Sequence, residues 1–140
     1  MIMKKIFTTI PILFLILLLV GCGTALTTAA RTGDVNKVKT LLDQGANVNE
    51  GPPNFLPALM EASREGRSDV VKILLDRGAD VNMTFGSRTA LAFAAQGRHG
   101  DTVKLLLERG ADIDKTIGIM KGNPNWWSSA DVEYLRRFKR

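Results

Sequence analysis

The stretch Leu41–Asn49, LLDQGANVN, decides the fold, because the chain repeats it as LLDRGADVN at Leu74–Asn82 and as LLERGADID at Leu106–Asp114. Each copy has a glycine at its fifth position, and these glycines are Gly45, Gly78 and Gly110. They lie 33 and 32 residues apart, and a fixed period of this size is typical of a stacked repeat architecture. The sequence therefore predicts a short solenoid.

Every copy indicates the same local structure. A helix ends in Leu-Leu-Asp/Glu-x, and the glycine supplies the left-handed backbone that stops the helix. The residues after the glycine lead the backbone outward in an extended loop. Upstream of each copy, a second short helix rich in small residues is predicted at Leu26–Arg31, Leu59–Arg64 and Leu91–Gln96. The unit is helix, tight turn, helix and projecting loop, so the predicted fold class is all-α.

At this point the chain resembles the ankyrin repeat, whose signature T-P-L-H-x-A-A-x-x-G-H-x-E-I-V-K-L-L-L-x-x-G-A-D-V-N aligns with it. The resemblance covers roughly residues 24–114 and implies an ankyrin-repeat solenoid of about three helix-turn-helix repeats with projecting loops. It also implies that the histidine of the third copy hydrogen-bonds the backbone between repeats. The third copy agrees best with the signature, at Thr89, Leu91, Ala94, Ala95, His99, Asp101, Val103, Leu105, Leu106, Leu107 and Gly110.

The departures from the family pattern are local. Pro57 and Ala58 stand at the Thr-Pro positions of the second copy. Arg98 occupies a position where the family usually has glycine, with Gly97 one step earlier. These changes bring a local turn into question and leave the predicted fold unchanged.

The repeats divide the chain into units and predict how its ends are closed. Residues 22–114 hold three repeats, at about 24–56, 57–88 and 89–114, and residues 115–140 are a degenerate repeat or C-terminal cap. Lys37 of the first repeat replaces Val70 of the second, which is the polar outer face that an N-terminal capping repeat requires.

A C-terminal capping helix is predicted at Ser129–Lys139, because Ser128 can begin a helix and an apolar stripe follows at helical spacing. We expect the stripe to cover Leu105 of the third repeat. The stripe consists of Val132, Leu135 and Phe138. The segment Lys115–Gly122 is irregular and is predicted as a loop.

The N-terminus resembles a cleaved secretory signal peptide at residues 1–21. Lys4 and Lys5 precede an apolar run of about 15 residues, which is shorter than the roughly 20 that span a bilayer. Leu19-Val20-Gly21-Cys22 then resembles a bacterial lipobox, which implies lipid attachment at Cys22. This is the only cysteine of the chain, so no internal disulfide can form. An uncleaved anchor and an ordinary buried cysteine are the alternatives.

Charge and leader together indicate a location. The net charge is +5, but the leader holds two of the lysines, the repeats are near neutral, and residues 115–140 are basic. We expect no nucleic-acid partner for an exported chain, so the basic tail points to helix-end electrostatics or to anionic lipid. The lipobox implies the bacterial cell envelope, facing the periplasm. Gly23 after the cysteine is not the Asp that signals inner-membrane retention, which favours the outer membrane.

No catalytic constellation is visible in the sequence. The single histidine, His99, has no Cys or second His with which to form a metal site. Carboxylates recur once per repeat in turn positions, no Ser or Cys has a base in the pattern of a nucleophilic site, and no glycine-rich phosphate loop occurs. We therefore expect no enzyme activity, cofactor, metal or small-molecule substrate.

What remains is a surface for a protein partner. The resemblance implies binding on the concave face, made of the projecting loops and the exposed side of the inner helices. Phe55 and Phe85 either face the partner or stack between repeats, and for Phe93 binding is favoured because alanines beside it already supply the packing. The predicted partner-binding residues are Asn54, Phe55, Glu61, Arg64, Glu65, Thr84, Phe85, Arg88, Phe93 and Gln96.

Two functions fit such a surface. One is an immunity protein that blocks a toxin or lipase in the periplasm. The other is a structural adaptor that organises an envelope complex.

Trp126 and Trp127 are adjacent, so on a helix they cannot face the same way. We expect one to plug the last repeat and the other to be exposed.

Overall fold

The computed structural model describes residues 24–51 and 53–139. In this part the chain forms eight helices and no strands, which confirms the all-α fold class. The predicted signal peptide at residues 1–21 and the lipid-attachment residue Cys22 lie outside the described residues. The helices are α1 (24–32), α2 (Val35–Asp43), α3 (Ala58–Arg64), α4 (Ser68–Asp76), α5 (Ala90–Gln96), α6 (Gly100–Glu108), α7 (Ile113–Gly122) and α8 (Ser129–Arg136).

The first six helices pair into three hairpins that stack in two rows. In the outer row, α2 packs on α4 and α4 packs on α6. In the inner row, α3 packs on α5. Helix α1 is the equivalent inner helix of the first repeat. The inner helices approach closely because small residues fill the contact, as predicted. Ala29, Ala30, Ala62, Ser63, Ala94 and Ala95 are all at most 2% exposed.

The outer helices fill the core with branched side chains. Val38, Val70, Val71, Leu74, Val103 and Leu106 are at most 1% exposed. Lys37, by contrast, is exposed at the position where the second repeat buries Val70. The first repeat therefore has the polar outer face that was predicted for the N-terminal end of the stack.

The repeated motif holds neighbouring loops in register. Its glycines adopt the predicted left-handed backbone, with φ of 91°, 88° and 90° at Gly45, Gly78 and Gly110. The asparagine that ends the motif then bridges to the next repeat. Asn49 Nδ2 donates to the carbonyl of Gly78 at 3.2 Å, and Asn49 Oδ1 accepts from the backbone N–H of Asp80 at 2.8 Å.

The same bridge recurs one repeat later. Asn82 donates to the carbonyl of Gly110 at 3.0 Å and accepts from the N–H of Asp112 at 2.8 Å. Because each amide satisfies one backbone donor and one acceptor of the next loop, a shift between repeats breaks both bonds together. We call these two side chains the asparagine clamps.

A second periodic contact joins the tight turns. The ring atom Nε2 of His99 lies 3.0 Å from the carbonyl oxygen of Arg64, which confirms the expected role of the histidine. Arg67, the equivalent residue of the second repeat, donates through Nε to the carbonyl of Arg31 at 3.3 Å. The turn is thus tied to the preceding inner helix in both repeats, although the donor differs.

The tight turn at Arg98, where the family usually has glycine, is formed in the structure. Arg98 adopts φ 59°, as Gly33 and Gly66 do with 84° and 66° in the earlier repeats. A side chain in this region costs roughly 1 kcal/mol or more. The Arg98 side chain offsets this cost, because its Nη1 lies 3.0 Å from Asp131 Oδ1 and its guanidinium stacks on Tyr134, 4.8 Å from the ring centroid.

The segment Lys115–Gly122, predicted as a loop, is helical as part of α7. Asp112 accepts from the N–H of Lys115 at 2.8 Å and so caps the helix, whereas its counterpart Asp80 caps only a turn. Thr116, Ile117 and Met120 are buried at helical spacing. A glycine near the middle and one at the end conceal this pattern in the sequence.

The capping helix exists as predicted but ends earlier, at Arg136. Ser128 and Asp131 form a capping box, and Val132 and Leu135 are buried. The helix packs mainly on α5 and α7. Leu105, which we expected it to cover, is half-buried like its counterpart Ile73 inside the stack, so this position does not require a cover.

Replacing Asn82 with Ala removes both hydrogen bonds of one clamp, and we expect it to lower the free energy of unfolding by about 1–3 kcal/mol. Urea unfolding followed by circular dichroism measures the change. Asn125→Ala, at an exposed asparagine of the loop after α7, is the control and should change stability by less than about 0.5 kcal/mol. Equal effects of the two substitutions would show that the clamp does not hold the register.

Candidate functional site

An open groove of about 510 Å³ lies against the inner helices. Residues of α1, α3 and the two loops that precede α3 and α5 line it, and no residue of the outer row takes part. The groove therefore occupies the face where the resemblance places a partner. We call it the inner groove, and its lining residues are Thr27, Thr28, Arg31, Asn54, Phe55, Leu56, Glu61, Arg64 and Arg88.

The repeat register explains why these side chains share one face. Arg31, Arg64 and Gln96 are equivalent positions of the three inner helices, and Thr28, Glu61 and Phe93 are the equivalent positions three residues earlier. Side chains three residues apart lie together on a helix surface. The face is thus polar and charged in the first two repeats, whereas in the third repeat Gln96 is exposed and Phe93 is buried.

The acidic residue at the floor of the groove is neutralised from within the same helix. The Glu61 side chain is only 9% exposed, and its Oε2 lies 2.7 Å from Nη2 of Arg64. Arg64 also donates through Nε to Oε1 of Glu65 at 3.2 Å. Glu65 itself is exposed and does not line the groove, so its role there is to hold Arg64.

Two arginines of the groove have no carboxylate partner among the described residues. Arg31 is exposed on α1, and Arg88 is half-buried on the loop before α5. Arg88 stacks on the ring of Trp126, with 4.4 Å from its guanidinium carbon to the centroid. This contact orients the guanidinium and leaves its hydrogen-bond donors available.

The loop before α3 presents an aromatic ring to solvent. Asn54 adopts a left-handed backbone with φ 67°, which asparagine tolerates better than most residues. Phe55 follows and is 60% exposed. The sequence left open whether Phe55 faces a partner or stacks between repeats. In the structure its ring is exposed to solvent.

A smaller groove of about 230 Å³ continues from Arg88 towards the C-terminal segment, lined by Phe85, Gly86, Ser87, Arg88 and Trp126. The C-terminal segment anchors this loop, because Trp127 Nε1 donates to the carbonyl of Ser87 at 3.0 Å. Phe85 is half-buried and packs against the core. Thr84 is exposed and lines neither groove.

The ring of Phe93 is buried, whereas we expected it to face a partner. Phe93 is 8% exposed, and its ring meets that of Trp127 edge to face with 5.5 Å between centroids. Trp127 is the tryptophan that plugs the last repeat, and Trp126 is the exposed one, at 59%. The alanines beside Phe93 pack the helices together, but a tryptophan from beyond the repeats covers the ring.

The structure thus brings five of the ten predicted residues into the inner groove: Asn54, Phe55, Glu61, Arg64 and Arg88. Gln96 is exposed nearby and donates to the carbonyl of Trp126 at 3.3 Å. Thr27, Thr28, Arg31 and Leu56 also line the groove and were not predicted, and the sequence left open which of Trp126 and Trp127 is exposed. The repeat period could have found Arg31 from Arg64, whereas Trp126 lies after the last repeat and has no equivalent.

Another cavity, of about 550 Å³, lies between α7 and α8 at the C-terminal end. Its charged lining includes Glu133 and Arg136, which pair with each other at 3.4 Å. Within the described residues no group of three His, Cys, Asp or Glu could hold a metal ion. In the same part of the chain, no helix has the length and apolar character needed to cross a membrane.

Because Phe93 is buried and Phe55 is exposed, replacing them should have very different effects on the free energy of unfolding. Phe93→Ala removes a buried ring and should lower the free energy of unfolding by about 3 kcal/mol. Phe55→Ala, the matched control, should change it by less than about 0.5 kcal/mol because the ring is exposed. Urea unfolding of both variants checks this, and a Phe93→Ala protein as stable as Phe55→Ala would mean that Trp127 does not cover the ring.

Comparison with known proteins agrees with the geometry. A family model described as ankyrin repeats in three copies matches residues 11–85 and 56–117. No curated protein matches the chain. Since the family model covers well over half of the sequence and the helices stack as its repeats require, the chain belongs to the ankyrin-repeat family.

Proposed function

We propose that this chain is a lipid-anchored protein-binding module of a bacterial cell envelope and that its partner binds in the inner groove. Ankyrin repeats indicate a protein–protein interaction module and are generally not enzymatic. The observation that carries the proposal is the lining of the groove. Two arginines that pair with no carboxylate of the described residues and an exposed phenylalanine lie together there, and arginine and aromatic residues are enriched at protein interfaces.

The lipid anchor rests on the sequence around Cys22. Leu19-Val20-Gly21-Cys22 resembles a lipobox, and the thiol is the only one in the chain. Helix α1 already includes residue 24, two residues after the cysteine, and two residues reach about 7 Å. An acyl chain on Cys22 would hold the first repeat at the lipid headgroups. The proposed location is the periplasmic side of the outer membrane.

Closeness to the membrane favours a partner that acts at or in the lipid surface. An immunity protein against a membrane-attacking toxin or lipase fits this position, and so does an adaptor for a membrane-bound assembly. The gene next to this one distinguishes them. A secreted-effector gene supports immunity, and envelope-assembly genes support the adaptor.

Cys22→Ala tests the anchor. Without the thiol, acylation cannot occur, and we expect a larger, unprocessed precursor in place of the mature lipoprotein. Metabolic labelling with palmitate and gel mobility measure this. Wild-type protein that is processed, unlabelled and soluble without detergent would contradict the anchor and leave the groove proposal standing.

Phe55→Ala combined with Arg88→Glu tests the groove. Each change should cost the complex about 1–3 kcal/mol, so the partner recovered with tagged protein from detergent-solubilised envelopes should fall at least roughly tenfold. Lys72→Glu on the outer helix α4 makes the same charge change on an exposed residue and should leave recovery unchanged. If the groove variant recovers as much partner as the wild type, the partner binds elsewhere.

A further inference from the structure

We infer that the inner groove receives an acidic segment of the protein partner. The inference rests on the proposed function and adds the chemistry of the partner. Three features of the groove carry it: its unpaired cations, a neutralised carboxylate at its floor, and the aromatic rings at its edge.

The first feature is the charge balance of the groove. Arg31 and Arg88 have no carboxylate partner among the described residues, whereas the only acid in the lining, Glu61, is paired with Arg64. The groove therefore presents two cations that nothing in this part of the chain neutralises. Guanidinium groups bind carboxylates with two parallel hydrogen bonds, so acidic side chains complement this lining.

The arrangement of Arg88 reduces the cost of binding. Its guanidinium stacks on Trp126 at 4.4 Å, and Trp126 is itself tied to Gln96 through its carbonyl oxygen. A side chain that is already oriented loses less conformational freedom when a carboxylate binds. The Arg88 guanidinium is thus already oriented before an anionic group of the partner binds.

The second feature is the neutral floor of the groove. Glu61 Oε2 is buried and lies 2.7 Å from Nη2 of Arg64, so the only carboxylate of the lining is already neutralised. It therefore presents little negative charge that would oppose the carboxylates of an acidic segment.

The third feature is apolar. Phe55 on one loop and Trp126 beside Arg88 are the exposed large hydrophobic residues of the described chain, at 60% and 59%. They flank the arginines, so the segment should place an apolar side chain next to its acidic ones. A phosphate headgroup of a lipid also binds arginine, but it carries no apolar group to place against the two exposed rings. The lining therefore favours a protein segment over a lipid surface.

Selection from a random peptide library displayed on phage tests the inference, with the full chain in mild detergent as the target. We expect the selected peptides to be enriched in Asp and Glu over the unselected library. A synthetic selected peptide should bind roughly tenfold more weakly to the double variant Arg31→Gln/Arg88→Gln, as expected for the loss of charge-assisted hydrogen bonds. Fluorescence anisotropy measures the affinity, and equal melting curves show that the variant is folded.

The double variant Lys72→Gln/Lys104→Gln is the control, since it removes two exposed charges from the outer helices α4 and α6 and should leave the affinity unchanged. Acidic peptides that bind the Arg31→Gln/Arg88→Gln variant as tightly as the wild type would overturn the inference. Neutral or basic peptides whose binding depends on Phe55 would also overturn it while leaving the proposed function intact.

Two further outcomes would count against the inference. Selection of no groove-binding peptide at all would contradict both the inference and the protein-binding role of the groove. Vesicles of phosphatidylglycerol that bind the wild type but not the arginine variant, with neutral phosphatidylcholine vesicles as reference, would show that the occupant is a lipid surface.

Discussion

The asparagine clamps hold the register on which the rest of the structure depends. Asn49 and Asn82 each bond a carbonyl and an N–H of the following loop, so neighbouring repeats can meet in only one alignment. That alignment places inner helices side by side and brings residues 33 positions apart, such as Arg31 and Arg64, into the same groove. A groove built from residues of two repeats exists only while this register holds, because neither repeat alone contains it.

The end of the stack shows how stability and the candidate site are connected. The third copy of the motif ends in Asp114 instead of the clamp asparagine. Side chains of the C-terminal segment hold this end of the stack. Arg98 accepts a strained backbone and binds Asp131, and Trp127 covers Phe93. The same segment places Trp126 against Arg88 at the edge of the inner groove. The cap therefore closes the core and also shapes one end of the proposed binding surface.

Periodicity made most of the fold predictable, and its absence explains the errors. The glycine spacing and the leucine pattern predicted six helices and their turns, and Ser128 predicted the start of the cap. Helix α7 was missed because Asp112 looks like its counterpart Asp80, and only the following residues make it a helix cap. Phe93 was misplaced because the residue that buries it, Trp127, comes from outside the repeats. Arg31 was omitted, although its equivalence to Arg64 was readable in the sequence.

Site-specific photo-crosslinking in living cells tests most directly whether the inner groove is the surface that meets the partner. In one variant a photoreactive phenylalanine analogue replaces Phe55 in the groove. In the reference variant it replaces Lys72 on the outer row. Both positions are exposed. We expect one discrete protein adduct from position 55 on illumination and none from position 72. Adducts from position 72 alone, or equal adducts from both positions, would contradict it.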